Sequence, residues 1–491
     1  MSTQFDVRAQ LDLPPTLTPV VDGEWLPLNG LTSLPVLDPA TGLVVLEVAD
    51  ATDETVDHAV ASAQRAFTST WGKTDPVVRG RILLAIAQAL RVASEDLSRA
   101  ESLDSGKPLS QARADVETAA RYFEFYAGSC DKIYGDMLPQ ASGFAYTRRE
   151  AHGVVGIITP WNSPIAQMCR SVAPALAAGN TVVVKPSELT PITSVAAARL
   201  FVDAGLPRGA CNVVPGRGAG AGAALCAHPG VRYISFTGSV ETGQTVGAAC
   251  GVRIVGCSLE LGGKSATIIL PDANLDAASR AGVAAVIRNA GQSCFATTRL
   301  VVHRSVHEEL IARMIGLFDD LTIGPGLDDP ALGPLISQGQ REKTLRYVAR
   351  AVADGARIVN DTSATLPEEG FFVLPSLLVD VRNEMELARQ EVFGPVQSVI
   401  VVDSEEEALL VANDSDYGLA AGVFTASLAS AHRLAAQLQA GQVQVNRYPL
   451  GGVDTPFGGY KQSGLGREKG IEALHHYTQL KTVIVYTDED E

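Results

Sequence analysis

Residues 153–185 read GVVGIITPWNSPIAQMCRSVAPALAAGNTVVVK. A short apolar run, Val154–Ile158, gives way to an Ala-rich stretch and then to a second apolar run at 182–184. Short runs that are apolar throughout, rather than alternating, suit strands covered on both faces, and the Ala-rich stretch between them suits a helix. The pattern predicts a βαβ unit on a parallel sheet, and it continues through apolar runs at 212–214 and 233–236.

Working outward, a second alternating series begins near Ser265. It predicts a strand at 266–270, a helix at 275–290, a strand at 300–303 and a helix at 306–321. The series closes with a strand at 397–402, a helix over Glu405–Asn413, a strand at 422–425, a helix at 429–439 and a strand at 442–446. Two α/β lobes joined near Gly262 and Gly263 are expected. Upstream, Thr52 is placed to cap a helix in which Val56, Val60, Ala63 and Phe67 share a face, and residues 79–102 form a second amphipathic stretch. Segments 141–150 and 482–486 read as strands outside both lobes, of the kind that pairs with another subunit.

A chain of 491 residues is too long for one core, so two or three domains are expected. Its 39 Lys and Arg against 55 Asp and Glu leave a formal charge of −16, which disfavours nonspecific binding to nucleic acid or to an anionic membrane. No apolar run approaches the roughly 18 to 20 residues that span a bilayer, and the first fifteen residues lack the basic and apolar regions of a secretory signal. Seven cysteines, an odd number without a CxxC pair, do not make a disulfide framework. The expectation is a reduced, cytoplasmic enzyme.

Four places could carry chemistry. Gly216-x-Gly218-x-x-Ala221 is a degenerate dinucleotide fingerprint after a strand; it fits a nucleotide contact or a tight turn with packing glycines. The turn Phe236-Thr-Gly-Ser-Val-Glu-Thr-Gly243 could hold a phosphate on its backbone N–H groups, or Ser239 could simply cap a helix. Cys294, in the loop Gly291-Gln-Ser-Cys-Phe295, is either a nucleophile whose thiol pKa needs lowering or an ordinary loop cysteine. Glu260, between two leucines and ahead of Gly262 and Gly263, is either a desolvated general base or a strand-end surface residue. No metal site is expected. His303 and His307 fall on different elements, and the adjacent His475 and His476 cannot share a helix face.

Taken together, Thr159-Pro-Trp-Asn162, Lys185-Pro-Ser-Glu188, Phe236-Thr-Gly-Ser239, Leu259-Glu-Leu-Gly-Gly-Lys264, Gly291-Gln-Ser-Cys294, Glu391-Val-Phe-Gly-Pro395, Tyr417-Gly-Leu-Ala420 and Pro456-Phe-Gly-Gly-Tyr-Lys-Gln-Ser-Gly-Leu-Gly-Arg-Glu468 stand in an order and spacing that resembles the aldehyde dehydrogenase superfamily over about residues 20–487. The resemblance implies an α/β fold with a Rossmann-like cofactor domain (1–131 and 152–262), an α/β catalytic domain (263–470) and a small β oligomerisation element (132–151 and 471–491). It further implies NAD as coenzyme, with some NADP use allowed, an aldehyde as substrate, and a homodimer or homotetramer. Cys294 would be the nucleophile, Asn162 an oxyanion donor together with the Cys294 N–H, and Glu260 the base for acyl-enzyme hydrolysis. Ile158, Trp161, Lys185, Glu188, Gly218, Gly238, Ser239, Gly243, Leu261, Glu391 and Phe393 would contact the coenzyme. Ser163, Gln167, Arg170, Phe295 and Gly451 would line the substrate tunnel.

The chain departs from the family pattern in places. Ser171 stands where relatives often carry a Lys that couples to the equivalent of Glu468, although Arg170 lies next door. Ser163 and Gly451 stand where relatives carry aromatic residues, which implies a wider tunnel. A coenzyme A-acylating relative should lack the base, and a non-catalytic structural homologue should lack the base or the thiol; this chain keeps Glu260 and Cys294.

Overall fold

The computed structural model describes residues 6–28, 30–448 and 451–487. The opening stretch folds as its composition requires: β1 (Val154–Ile158) and β2 (Thr181–Lys185) are buried at every position, and both flank the helix α1 (Pro164–Ala177). With β3 (Cys211–Val213), β4 (Val231–Thr237) and β5 (Gly256–Glu260) they make a parallel array in the order β3-β2-β1-β4-β5. The order reverses between β1 and β4, and the crevice beyond the carboxyl ends of those strands is where such sheets take ligands. Antiparallel strands close both edges, Gly464–Leu465 beside β5 and Val20–Val21 with Glu24–Trp25 beside β3.

A second sheet holds β6 (Ala266–Ile269), β7 (Arg299–His303), β8 (Ser376–Val379), β9 (Val396–Val402), β10 (Ala420–Phe424) and β11 (Gln442–Val445), parallel in the order β8-β9-β7-β6-β10-β11. The expected α/β class with two parallel sheets is therefore present. β5 and β8 escaped the sequence analysis because Gly256-Cys-Ser-Leu-Glu260 and Ser376-Leu-Leu-Val379 are short and carry polar residues.

The two loose strands find each other within the chain. Phe144–Ala151 pairs antiparallel with Thr478–Val485 along eight residues each, and Met137–Leu138 adds a third strand. The ends of the expected domain ranges at residues 1–5 and 488–491 lie outside the described residues.

Local differences have physical causes. The helix Asp53–Ser69 follows Thr52, but the Thr52 side chain makes no capping bond to the backbone; its hydroxyl lies 3.3 Å from that of Thr55, while Asp53 and Glu54 occupy the positive end of the helix. The stretch 79–102 is two helices, Pro76–Val92 and Ser94–Ser105, meeting at Ala93. The helix expected over 275–290 ends at Ile287 (α2, Leu275–Ile287), because Asn289 and Ala290 take left-handed backbone angles. That early stop shapes the site.

Candidate active site

The first sheet delivers its polar residues at the carboxyl ends of its strands. The turn after β1 presents Trp161 and Asn162, the turn after β4 presents Gly238 and Ser239, and β5 ends on Glu260. The backbone of Glu260 is pinned by pairing to Gly464, where φ is +143° and an added Cβ would lie 2.0 Å from the Leu259 carbonyl oxygen. On the other side, Asn289 (φ 47°), Ala290 (φ 52°) and Gly291 (φ 73°) reverse the chain after α2. A Cβ at Gly291 would stand 2.1 Å from the Gly394 carbonyl, so only glycine fits there. The reversed segment is stitched to the Asn162 turn: Asn289 Nδ2 donates to the Asn162 carbonyl at 2.8 Å, and Asn162 Nδ2 donates to the Gln292 carbonyl at 2.9 Å. These bonds place Asn162 beside the loop carrying Cys294.

Two cavities meet at that loop. One, of about 190 Å³, is bounded by Tyr122, Ser163, Arg170, Phe295 and Phe457 among others. The other, of about 210 Å³, is bounded by Trp161, Gly238, Glu260, Lys343, Glu391 and Phe393 among others. Cys294, Asn162 and Gln167 line both.

The electrostatics are those of a dry site. Burial pushes the Cys294 thiol up to about 12, with Arg170 pulling in the opposite direction. Burial also holds Glu260 well above the usual carboxylate range, opposed by Arg170, and neither of its carboxylate oxygens has a hydrogen-bond partner. An unpartnered buried carboxylate is costly structurally, and such groups concentrate at functional sites. Arg170 is buried in α1; it donates from Nη2 to Thr237 Oγ1 at 2.8 Å and lies 5.5 Å from the Phe457 ring centroid. Glu468 and Glu260 both favour its charge. Glu468 is fully enclosed, its Oε1 taking hydroxyls from Ser235 at 3.0 Å, Tyr477 at 3.0 Å and Ser258 at 3.3 Å. Ser171 joins this cluster through Ser235, at 3.2 Å. Arg170 thus supplies positive charge toward Glu468 from the position next to Ser171.

The residues assigned by resemblance to a coenzyme fall into three groups. Trp161, Gly238, Ser239, Glu391 and Phe393 line the second cavity. Trp161 and Phe393 meet edge to face at 5.2 Å, and the Glu391 carboxylate receives the Gly263 N–H at 3.0 Å. A Cβ on Gly262 would fall 2.3 Å from Glu391 Oε2, so the glycine pair is what admits this carboxylate. Lys185, the last residue of β2, pairs with Glu188 at 3.0 Å, and Gly222 of the glycine-rich turn approaches the Lys185 side chain. Gly218 opens that turn, with free space where a Cβ would be. Ile158, Gly243 and Leu261 stand apart from the cavity lining. Gly243 is packed against Leu261, and Ser239 caps the helix Val240–Arg253 by accepting the Thr242 N–H.

Ser163, Gln167, Arg170, Phe295 and Gly451 all line the first cavity. So do residues that sequence reasoning missed, notably Lys107, Arg288, Phe457 and Lys469. Lys107 is 1% exposed and donates to Asp115 at 2.5 Å, to Ser163 at 3.3 Å and to Glu101 at 3.4 Å. Burial works against its charge, but Asp115 and Glu101 outweigh it and hold Lys107 above its ordinary value. Lys107→Met would strand the buried Glu101 carboxylate beside the part-buried Asp115. The expected loss is about 3–5 kcal/mol of stability, read as a lowered urea midpoint; an unchanged midpoint would show the pair to be dispensable. Among the described residues, no His, Cys, Asp or Glu cluster could hold a metal, and none of the helices is long and apolar enough to cross a membrane.

The model of the aldehyde dehydrogenase family matches residues 25–483. The chain belongs to that family. A betaine aldehyde dehydrogenase of Cereibacter sphaeroides is 43% identical over 481 residues, 98% of each chain. The NAD+ complex of an aldehyde dehydrogenase from Bacillus cereus superposes with a TM-score of 0.96 at 37% identity, covering 99% of this chain and 100% of that one. The betaine aldehyde dehydrogenase of Staphylococcus aureus, also solved with NAD+, gives 0.95 at 34% identity over 99% and 97% of the two chains. This family member thus keeps the family fold along nearly its whole length.

Proposed function

We propose that this aldehyde dehydrogenase oxidises an aldehyde to its carboxylic acid with NAD. The observation that carries the proposal is the shared wall: Cys294 and Asn162 face both cavities, so a thiol and an amide are presented at once to a ligand on either side. The second cavity suits a dinucleotide. Its Glu391 carboxylate stands ready to accept hydroxyl hydrogens, the Gly238–Ser239 turn begins a helix, and open space surrounds Gly218 and Gly220. Lys185 and Glu188 would hold the adenosine ribose, and Trp161 and Phe393 the nicotinamide end.

In this mechanism Cys294 reacts as its thiolate, the thiol proton having passed to water and the sulfur standing in the field of Arg170. It bonds to the carbonyl carbon, and the oxyanion accepts hydrogen bonds from Asn162 Nδ2 and the Cys294 N–H. Donors of that kind stabilise the transition state by roughly 3–4 kcal/mol each. The bound coenzyme supplies a hydride acceptor. Glu260 then takes a proton from the water that hydrolyses the thioester on Cys294. Its unpartnered oxygens, held above the usual carboxylate range by burial, suit a proton acceptor. Residues 1–131 and 152–262 would bind the coenzyme and 263–470 carry the catalytic loop. The sheet of Phe144–Ala151 and Thr478–Val485, whose outer edge carries exposed Leu480 and Ile484, would join subunits. An aldehyde panel with NAD, followed by NADH absorbance, tests the proposal; no reduction with any aldehyde would overturn it.

NAD should be preferred to NADP, because a 2′-phosphate near Glu188 meets like charge. Lys185 offsets this in part, being 3.0 Å from the same carboxylate. Glu188→Gln should raise the NADP-to-NAD ratio of kcat/KM by at least about tenfold. An unchanged ratio would place coenzyme selection elsewhere.

A further inference from the structure

Resting on the aldehyde-oxidising proposal above, we infer that the first cavity holds a carboxylate subsite, built on Arg288 and Lys469, that selects aldehydes bearing a distal carboxylate and turns away quaternary ammonium aldehydes. Four cations line this cavity, Lys107, Arg170, Arg288 and Lys469, against one carboxylate, Asp115. Two of the four are already answered. Lys107 is held by Asp115 and Glu101, and Arg170 stands in the field of Glu468 and Glu260. Arg288 and Lys469 make no side-chain hydrogen bond or ion pair with any other described residue. Lys469 has only the Phe457 ring, with Nζ 4.9 Å from its centroid. Asp454 and Glu260 act on it from beyond ion-pair distance, and burial lowers it to about 8.

The two unanswered cations are tied to the reacting end of the cavity. Arg288 begins the tight turn that leads into the Cys294 loop. Lys469 reaches that loop through an aromatic contact, since Phe457 meets Phe295, the neighbour of Cys294, edge to face at 6.3 Å. The Tyr448 hydroxyl, buried and without a partner, lies in the field of both Arg288 and Cys294. A carboxylate between such groups gains charge-assisted hydrogen bonds where water is scarce.

The same geometry works against a trimethylammonium group. Such groups are recognised by free aromatic faces. Here Phe457 already carries both Arg170, at 5.5 Å, and Lys469, at 4.9 Å. A third cation would meet like charge.

Kinetics on the wild-type enzyme with three aldehydes of matched chain length test this: one with a terminal carboxylate, one alkyl and one with a terminal trimethylammonium. The carboxylate aldehyde should exceed the alkyl one in kcat/KM by at least tenfold, and the ammonium aldehyde should fall below it. In Lys469→Gln and Arg288→Gln the carboxylate-to-alkyl ratio should drop about tenfold each. Calorimetry with glutarate, which needs no turnover, should detect binding to the wild-type protein that each variant loses. Oxidation of alkyl aldehydes without a carboxylate preference, an ammonium aldehyde as the best substrate, or no glutarate binding would each overturn the subsite while leaving aldehyde oxidation standing. Glutarate binding in a protein that oxidises no aldehyde would support the subsite and refute the proposed reaction.

Discussion

Cys294→Ala should abolish aldehyde oxidation, with a fall of about 10⁴-fold or more in kcat, while NAD binding followed by calorimetry persists. The size of the effect follows from covalent chemistry. Removing the sulfur removes the bond through which the aldehyde carbon is held, and no neighbouring thiol can substitute. The other free cysteines lie at 130, 169, 211, 226, 250 and 257, outside both cavities. Binding should survive because Cys294 is one lining residue of the second cavity among many, beside Trp161, Gly238, Glu391 and Phe393. Appreciable turnover by a verified Cys294→Ala protein would sink the assignment of the nucleophile.

Glu260→Gln should separate the two halves of the reaction. Thiol attack and oxidation need not pass through this carboxylate, whereas hydrolysis of the thioester needs a base for water. A burst of NADH equal to the enzyme present should be followed by a steady state slower by roughly 10²–10⁴-fold. The pH profile adds a second check. Burial raises Glu260, and only its ionised form can accept a proton, so wild-type deacylation should accelerate as pH rises through that raised pKa. The Gln variant should lose that rise. If the burst vanishes along with turnover, Glu260 acts before the thioester forms.

The parallel sheets were legible because strands buried on both faces must be apolar throughout, and runs such as Val154–Ile158 admit few other readings. β5 was not, since Gly256 and Ser258 dilute its apolar character and its stability comes from pairing with β4 and Gly464. The candidate site divides along the same line. Asn162, Glu260 and Cys294 sit in local motifs at strand ends or beside a glycine reversal, so their neighbourhoods are visible in the chain. Lys107 and Lys469 enter the cavity from segments more than 170 residues from Cys294 in sequence. Lys107, in the loop between the helices Ser94–Ser105 and Leu109–Ala127, depends on Glu101 of the first and Asp115 of the second, and Lys469 depends on Phe457. Nothing in their immediate sequence marks them, because what distinguishes them is which charges they meet after folding.

The two cavities share just Asn162, Gln167 and Cys294 along their walls. A centre approached from two sides imposes no queue on its visitors. Under the proposed reaction, an acyl group on Cys294 would block one doorway and leave the other open, so that spent coenzyme could be exchanged before the acid departs. An inert carboxylate lodged on the aldehyde side would likewise slow the enzyme without being displaced by more NAD, and the acid product is itself such a molecule.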